Sequence, residues 1–345
     1  MKIGFCVSAL SSGHNIRGIG VYTKNLLAAL KSNDGVVIQE FSGSAIPKTD
    51  IVHYPFFDLF KKSLPIRKDV PTVVTIHDVI PLAYSEFYPA GTRGFVNLYL
   101  QKLSLKNVSA VITDSKASKE DIIKYLKFPA SKIYTIPLAP ADYFHKIDDK
   151  DKLKTIRQKF NLPEKFALFT GNVNWNKNLV NLTAAAIKAD IDVVLIGKGF
   201  EEKENLDHPE LRSFKEFLNK FSTNSKVHIL GFVEVGDLVG ITNMATMALF
   251  PSNAEGFGLP ILEAQICGTP VITSNISSMP EVAGRGALLV DPNSVESISR
   301  AISRILTKKD LREELIKEGL KNVKRFSWKK TAQETIQVYD KVLHS

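Results

Sequence analysis

The sequence has few cysteines, no long apolar run and no cluster of metal-ligand residues. Its 345 residues include only Cys6 and Cys267, which are too few for a disulfide framework and lack zinc-site spacing. We interpret both as buried, reduced thiols. No apolar run reaches the roughly 18 residues of a membrane-spanning helix, and the N-terminus becomes polar too soon for a secretory signal. The sequence therefore predicts a cytoplasmic protein.

The charge is moderately basic. The 45 Lys and Arg against 36 Asp and Glu give a net charge of +9 at pH 7. The excess is biased to the N-terminal half, where it favours acidic ligands or an anionic surface. No basic stripe interleaved with aromatics accompanies it, so we predict no nucleic-acid partner.

Short apolar runs alternate with segments of helical periodicity along the whole chain. Because these runs are apolar throughout, they predict parallel strands covered by helices on both faces. The predicted fold class is α/β, with two doubly wound, Rossmann-like parallel-sheet domains at residues 1–147 and 148–326, divided at the charged stretch 148–152. The runs are residues 3–7, 36–41, 51–54, 72–76, 110–113 and 132–136, then 166–170, 192–196, 226–230, 247–250, 269–273 and 287–290.

Residues 254–264 are the most informative segment. Glu255 and Glu263 flank a glycine-rich turn and the start of an apolar helix. Pro260 suits the first turn of that helix, whose N-terminus favours an anion such as a phosphate. Gly256 and Gly258 let the backbone approach a ligand closely. The two carboxylates can thus face one ligand from different sides, and a sugar nucleotide has the required phosphates and hydroxyls.

Lys177 is the candidate cation for such a ligand. We predict it at the start of a helix, where a positive charge opposes the helix dipole and so does not serve helix stability. Beside a diphosphate it would stabilise the charge that develops on the leaving group. Asp190 and Asp192 are interpreted as a turn between a helix and a strand, so no metal site is predicted.

The 254–264 segment resembles the Glu-x7-Glu motif of the retaining glycosyltransferases of family 4, which have the two-domain GT-B fold. Further similar motifs follow in the family's order. They are Gly18-Ile19-Gly20-Val21-Tyr22, 75–81, Thr113-Asp114-Ser115, Lys177-Asn178, 280–284 and Arg325-Phe326-Ser327-Trp328. The resemblance implies that the two domains face each other across a cleft and that a terminal helix, about 327–345, packs back on the N-terminal domain.

The resemblance also implies a role for each site residue. Glu263 would accept hydrogen bonds from the ribose hydroxyls, and Glu255 would lie near the transferred sugar. His77 would contact that sugar, although a loop histidine is the alternative. The backbone N–H groups that would serve the sugar and the diphosphate belong to Gly256, Phe257, Gly258 and Leu259, and the other donor-binding positions are Gly18, Gly20, Gly171 and Asn172.

The sequence departs from the family at two commonly basic positions, Asn172 and Asn176. Arg17 is a candidate to compensate for the missing charge. For Gly18 and Gly20, a simple helix-capping turn remains an alternative to the phosphate loop.

The resemblance implies retaining, metal-independent transfer of a hexose, with a nucleoside-diphosphate sugar as co-substrate and no further cofactor. We expect GDP-mannose as the donor and a saccharide or lipid-linked saccharide as the acceptor, as in polysaccharide biosynthesis. The alternatives are a GT-B-fold sugar-nucleotide epimerase or hydrolase, and a non-catalytic nucleotide-sugar-binding protein suggested by Asn172 and Asn176.

Residues 56–62 place aromatics beside cations, with Arg67 and Lys68 close by. This pattern fits a surface that rests on an anionic bilayer bearing a lipid-linked acceptor. It fits a half-buried loop equally well. In the first case the protein would be peripheral on the inner membrane surface.

Overall fold

The computed structural model describes residues 1–10, 18–43, 45–202, 204 and 206–345. It consists of two compact units. The first combines Met1–Ala139 with Phe326–Ser345, and the second is Pro140–Arg325. The units thus divide at Pro140, a few residues before the predicted boundary at Asp148, and the last helix belongs to the first unit. Among the described residues, no helix is both long and apolar enough to cross a bilayer.

Strands and α-helices alternate in both units. The strands are β1 (Lys2–Cys6), β2 (Val37–Phe41), β3 (Ile51–Tyr54), β4 (Thr72–Thr75), β5 (Ala110–Thr113), β6 (Ile133–Thr135), β7 (Phe166–Thr170), β8 (Asp192–Ile196), β9 (Val227–Gly231), β10 (Met247–Phe250), β11 (Val271–Ser274) and β12 (Ala287–Val290). The α-helices are α1 (Gly18–Lys31), α2 (Ile80–Ala83), α3 (Gly91–Leu105), α4 (Lys116–Asp121), α5 (Lys150–Lys159), α6 (Leu179–Lys188), α7 (Arg212–Phe221), α8 (Val235–Met244), α9 (Leu259–Ile266), α10 (Met279–Ala283), α11 (Val295–Thr307), α12 (Lys309–Val323) and α13 (Trp328–Leu343).

Each unit contains one six-stranded parallel sheet. The orders are β2-β1-β3-β4-β5-β6 and β12-β11-β10-β7-β8-β9. Every residue of the central strands β3, β4, β5 and β10 is buried, as expected for sheets covered on both faces. The predicted fold class is therefore confirmed, and all the predicted strands are present within one or two residues of their expected ends.

The strand order of the second sheet reverses between β7 and β10. From β7 the chain winds outward to β8 and β9, and it then returns to build β10, β11 and β12 on the other side. Open α/β sheets bind ligands at such a switch point, beyond the carboxyl ends of the strands. The loops after Thr170 and Phe250 leave the sheet at this point.

Buried hydrogen bonds tie α13 to the sheet of the first unit. The Nδ1 atom of His53 on β3 lies 2.6 Å from the Tyr339 hydroxyl, and its Nε2 atom lies 2.8 Å from the Thr75 hydroxyl. The Tyr22 hydroxyl on α1 joins the same threonine at 2.9 Å. Burial, followed by the charge on His77, lowers the pKa of His53 to about 3, so its ring is neutral at physiological pH.

The aromatic segment at 56–62 is a half-buried loop. Phe57 and Leu59 are each only 6% exposed and belong to the core of the first unit, against which Phe60 also packs. Lys68 turns inward, since its ammonium donates to the carbonyl oxygens of Pro65 at 2.7 Å and Ser104 at 2.5 Å. Phe57 and Phe60 therefore contact the core of the first unit, which agrees with the alternative of a half-buried loop.

Candidate functional site

Lys177 and Glu255 form an ion pair beyond the carboxyl ends of β7 and β10. The Lys177 ammonium lies 2.7 and 2.8 Å from the two carboxylate oxygens. Their side chains are 20% and 16% exposed, so the pair is only partly screened by water. The Ser252 hydroxyl donates to the same carboxylate at 2.7 Å. The two residues predicted to act on the leaving group and on the sugar are therefore direct partners in this structure.

The sequence predicted that Lys177 begins a helix, and this prediction is wrong. It ends a short 3-10 turn, Trp175–Lys177, and α6 begins only at Leu179. The residue between them, Asn178, has a positive φ of 56°, which reorients the chain before the helix. The lysine thus lies in a connecting turn that projects it over the carboxyl edge of the sheet.

Asparagine side chains hold the loop after β10 against this turn. The buried amide of Asn176 donates to the Ala254 carbonyl at 2.9 Å. The Asn178 amide donates to the carbonyls of Pro251 and Pro292, at 2.8 Å each. Asn176 therefore supports the backbone that carries Glu255, which gives this asparagine a structural role at a commonly basic position. Asn172 is exposed, and Arg17, the proposed compensating residue, lies outside the described residues.

Two serines fix the acidic loop from the other side. The hydroxyls of Ser277 and Ser278 both donate to the Glu255 carbonyl at 2.9 Å. Ser278 also lies 2.8 Å from the Phe257 carbonyl. Ser278 directly precedes α10, but its side chain makes no capping bond to that helix.

Glu263 lies on α9, about one helical turn after the glycine-rich turn. Gly258, with φ at +103°, immediately precedes the helix, and Pro260 lies in its first turn as predicted. Burial raises the pKa of Glu263 to about 7. The carboxyl group therefore changes its protonation state in the neutral range.

The two acids lie beside neighbouring pockets. Lys177, Glu255 and Gly258 line one pocket, and Glu263 lines the other. Both pockets share Thr170, Phe250 and Pro260. The structure thus brings the acids, the lysine and the turn to one side of the second sheet. Phe257 is buried, Gly256 and Leu259 are half-buried, and Gly171 follows β7 directly.

The predicted residues of the first unit form a separate group. Gly18 and Gly20 lie in the first turn of α1, rather than in a loop before a helix beginning at Val21. His77 follows β4, and its Nδ1 atom lies 2.7 Å from the Asp114 carboxylate, which follows β5. The ring of Tyr22 packs edge-on against the His77 ring with centroids 4.6 Å apart.

Asp114 controls the charge of His77. Burial alone would lower the pKa of the imidazole, but the Asp114 carboxylate, together with smaller contributions from Asp78 and the Pro55 backbone, outweighs that effect and the pKa of His77 is raised. Among the described residues, no hydrogen bond of normal geometry reaches the buried Nε2 atom of His77, although the Pro55 backbone contributes to the raised pKa. Asp114 is thus a functional candidate that the motif Thr113-Asp114-Ser115 had marked without giving it a role.

Asp190 and Asp192, which the sequence places in a turn, each pair with a neighbouring basic side chain. Lys226 pairs with Asp190 at 2.5 Å, and His228 contacts Asp192 at 2.7 Å. Across the described part of the chain, no group of three or more His, Cys, Asp or Glu residues is arranged to hold a metal ion.

Family models match both units. Residues 153–322 match glycosyl transferases group 1, and residues 36–139 match glycosyltransferase family 4. The O-antigen chain mannosyltransferase B of Escherichia coli is 31% identical over 298 residues, which cover 85% of this chain and 74% of that protein. The chain therefore belongs to the glycosyltransferase family that these two models describe.

The glycosyltransferase also resembles a longer protein and a solved structure. The serotype-specific mannosyltransferase WbdA of Escherichia coli is 30% identical over 300 residues, covering 84% of this chain but only 36% of WbdA. The chain therefore spans about a third of the length of that relative. Sucrose-phosphate synthase from Thermosynechococcus elongatus has the same fold, with a TM-score of 0.75, 20% identity and coverage of 100% and 99% of the two chains.

We expect the ion pair of the glycosyltransferase to be coupled energetically. Removing one partner leaves a half-buried charge without its counter-ion, so Lys177→Gln and Glu255→Gln should show a coupling energy above about 1 kcal/mol in a double-mutant cycle. Urea unfolding of the wild type, the two single variants and the double variant measures this coupling energy. The exposed pair Lys188–Glu296 is the matched control and should give about 0.2–1 kcal/mol. Equal coupling in the two cycles would contradict a special role for the Lys177–Glu255 pair.

Asp114→Asn should lower the pKa of His77, because the amide no longer stabilises the imidazolium while burial still opposes it. NMR titration of labelled histidines measures this pKa. Since the pKa is raised in the folded state, the pair stabilises the fold below the free histidine pKa of about 6.5, and this contribution disappears as the pH rises through the folded value. The stability deficit of Asp114→Asn should therefore shrink with rising pH. Asp78→Asn, which removes a weaker contribution, should lower the pKa less, and an equal or larger drop would refute the assignment.

Proposed function

We propose that this glycosyltransferase moves a hexose from a nucleoside-diphosphate sugar to a hydroxyl group, with retention of the anomeric configuration and without a metal ion. The observation that carries the proposal is the Lys177–Glu255 pair beside the Gly256–Gly258 turn, at the switch point of the second sheet. This edge combines a cation, a helix N-terminus and a second acid on α9.

The diphosphate would meet Lys177 and the N-terminus of α9. An ammonium has three N–H donors, and two of the Lys177 donors reach Glu255. The third is available, in this proposal, for a phosphate oxygen. The helix N-terminus adds a partial positive charge of about half a unit. Together they would neutralise the leaving group, the task that a divalent cation performs in metal-dependent transfer.

Glu263 would bind the ribose and Glu255 the transferred sugar. Glu255 is already engaged by Lys177 and Ser252, which suits a positioning role better than that of a covalent nucleophile. We therefore propose a reaction on the front face of the donor, in which the leaving phosphate assists deprotonation of the acceptor. His77, held by Asp114 in the first unit, keeps the role that the family resemblance implies for it.

GDP-mannose is our proposed donor. Its support is the identity with the O-antigen chain mannosyltransferase B and with WbdA, whose names state mannosyl transfer. These names also support a saccharide or lipid-linked saccharide as the acceptor.

The test is a transfer assay with a panel of nucleotide sugars and mannose-terminated acceptors. We expect product only when donor and acceptor are both present, with the donor's anomeric configuration retained by NMR, and we expect activity to survive EDTA. Donor consumption without an acceptor would instead identify a hydrolase or epimerase. Binding without turnover would identify a nucleotide-sugar-binding protein. Loss of activity in EDTA, restored by magnesium or manganese, would overturn the metal-independent mechanism.

Affinity for the nucleoside diphosphate should rise with pH, between about 6 and 8, because ribose hydroxyls bond better to ionised than to protonated Glu263. Glu263→Gln should remove the part of this pH dependence that comes from Glu263, and it should weaken binding by about 1.5–3 kcal/mol. Isothermal titration calorimetry at several pH values measures both effects.

The phosphates titrate equally in both proteins, so the difference between the two profiles isolates the carboxyl group. Glu216→Gln on α7, which removes an acid that pairs with Lys220 on the surface, is the control and should keep the wild-type profile. Identical profiles for wild type and Glu263→Gln would exclude Glu263 from the ribose site.

A further inference from the structure

Helix α3 presents three large apolar side chains to solvent. Phe95 is 71% exposed, Val96 58% and Tyr99 63%. Lys102 and Lys106 continue the face of Phe95 and Tyr99 at helical spacing, and both are exposed. A contiguous exposed patch of this kind, unlike single exposed apolar residues, marks an interaction surface.

The opposite face of α3 fixes this orientation. Asn97 donates to the Phe60 carbonyl at 2.8 Å, and Gln101 donates to the Asp58 carbonyl at 2.7 Å. Ser104 donates to the Leu64 carbonyl at 3.2 Å. These three residues follow one another at spacings of four and three, so the helix is held along its length with Phe95 and Tyr99 outward.

The surroundings of the patch are basic. Helix α3 contains no acidic residue, and it carries Arg93 in its first turn and Lys102 in its last. The loop bonded to its inner face adds the exposed residues Lys61, Lys62 and Arg67. Ile66, also in this loop, is 44% exposed. The surface therefore combines an apolar centre with a predominantly positive rim, in which Arg67 pairs with the exposed Asp69 at 3.1 Å.

We propose that this α3 face, comprising Phe95, Val96, Tyr99 and Lys102 of the helix and Lys106 directly after it, docks on an anionic lipid bilayer. Aromatic side chains partition into the headgroup boundary, and lysines can extend their ammonium groups to lipid phosphates while their stems cover apolar surface. The surrounding cations are attracted to the negative leaflet. A second copy fits poorly, because a symmetric contact would bring two like-charged rims together.

The proposal does not depend on the donor chemistry, since its residues all belong to the first unit. It gives the basic loop at 61–67 a membrane-facing role while the aromatic contribution comes from α3. A lipid-linked acceptor would then be met at the bilayer surface.

Flotation of the full chain with phosphatidylcholine vesicles, with and without phosphatidylglycerol, tests the proposal. We expect binding only to the anionic vesicles and weakening at high salt. Lys102→Gln with Lys106→Gln should reduce partitioning about fivefold for each charge. Phe95→Ser with Tyr99→Ser should reduce partitioning more than tenfold, because the variant loses the free energy gained when two aromatic side chains leave water.

Lys317→Gln with Lys321→Gln on α12 is the matched charge control, because it removes two exposed lysines at helical spacing elsewhere. It should leave partitioning unchanged. Circular dichroism verifies that each variant is folded, and thermal shift with nucleotide sugars reports separately on the proposed donor site.

Three outcomes would overturn the proposal. The first is no binding to anionic vesicles at low salt. The second is an equal loss in the α12 control, which would show attraction by net charge alone. The third is concentration-dependent dimerisation, seen by light scattering and abolished by Phe95→Ser, which would assign the patch to a second copy of the chain.

Discussion

Buried backbone carbonyls after β10 have to be hydrogen-bonded, and this requirement sets the geometry of the candidate site. Asn176 and Asn178 donate hydrogen bonds to the carbonyls of Ala254 and Pro251, respectively. Ser277 and Ser278 donate to the carbonyl of Glu255. An unpaired buried carbonyl would cost about 1–3 kcal/mol. The loop is therefore fixed from two sides, so the Glu255 carboxylate is held where Lys177 reaches it. The turn that begins α9, and with it Glu263, follows from the same anchoring.

The sequence was sufficient wherever the signal is local. Continuous apolar runs identified the strands, and Pro260 with its flanking glycines identified the start of α9, because period and turn chemistry act over a few residues. The Lys177–Glu255 pair joins residues 78 positions apart. It depends on β7 lying beside β10, and apolar runs do not specify strand order. The pairing of His77 with Asp114 across β4 and β5 was missed for the same reason.

Exposure of aromatics was the hardest property to predict. The run at 56–60 has no clear period, and the fold buries Phe57 and Leu59 in the core. Phe95 and Tyr99 have the spacing of a core-facing helical stripe, yet they point to solvent, because Asn97, Gln101 and Ser104 supply the buried face. The spacing of the aromatics alone thus assigns the wrong face of α3. The hydrogen bonds to the 58–64 loop, together with the packing of Leu98 and Leu105 against the core, decide the orientation of the helix.

The contact between His53 and Tyr339 bears on the order in which the protein folds during synthesis. These residues are 286 positions apart, and the second unit is encoded entirely between the two parts of the first. Domains generally fold as they leave the ribosome. The second unit can therefore complete its core while the first still lacks α13, and until that helix emerges the Nδ1 atom of His53 lacks its native partner. The N-terminal unit, although its synthesis begins first, can thus become fully native only after the whole second unit has been synthesised.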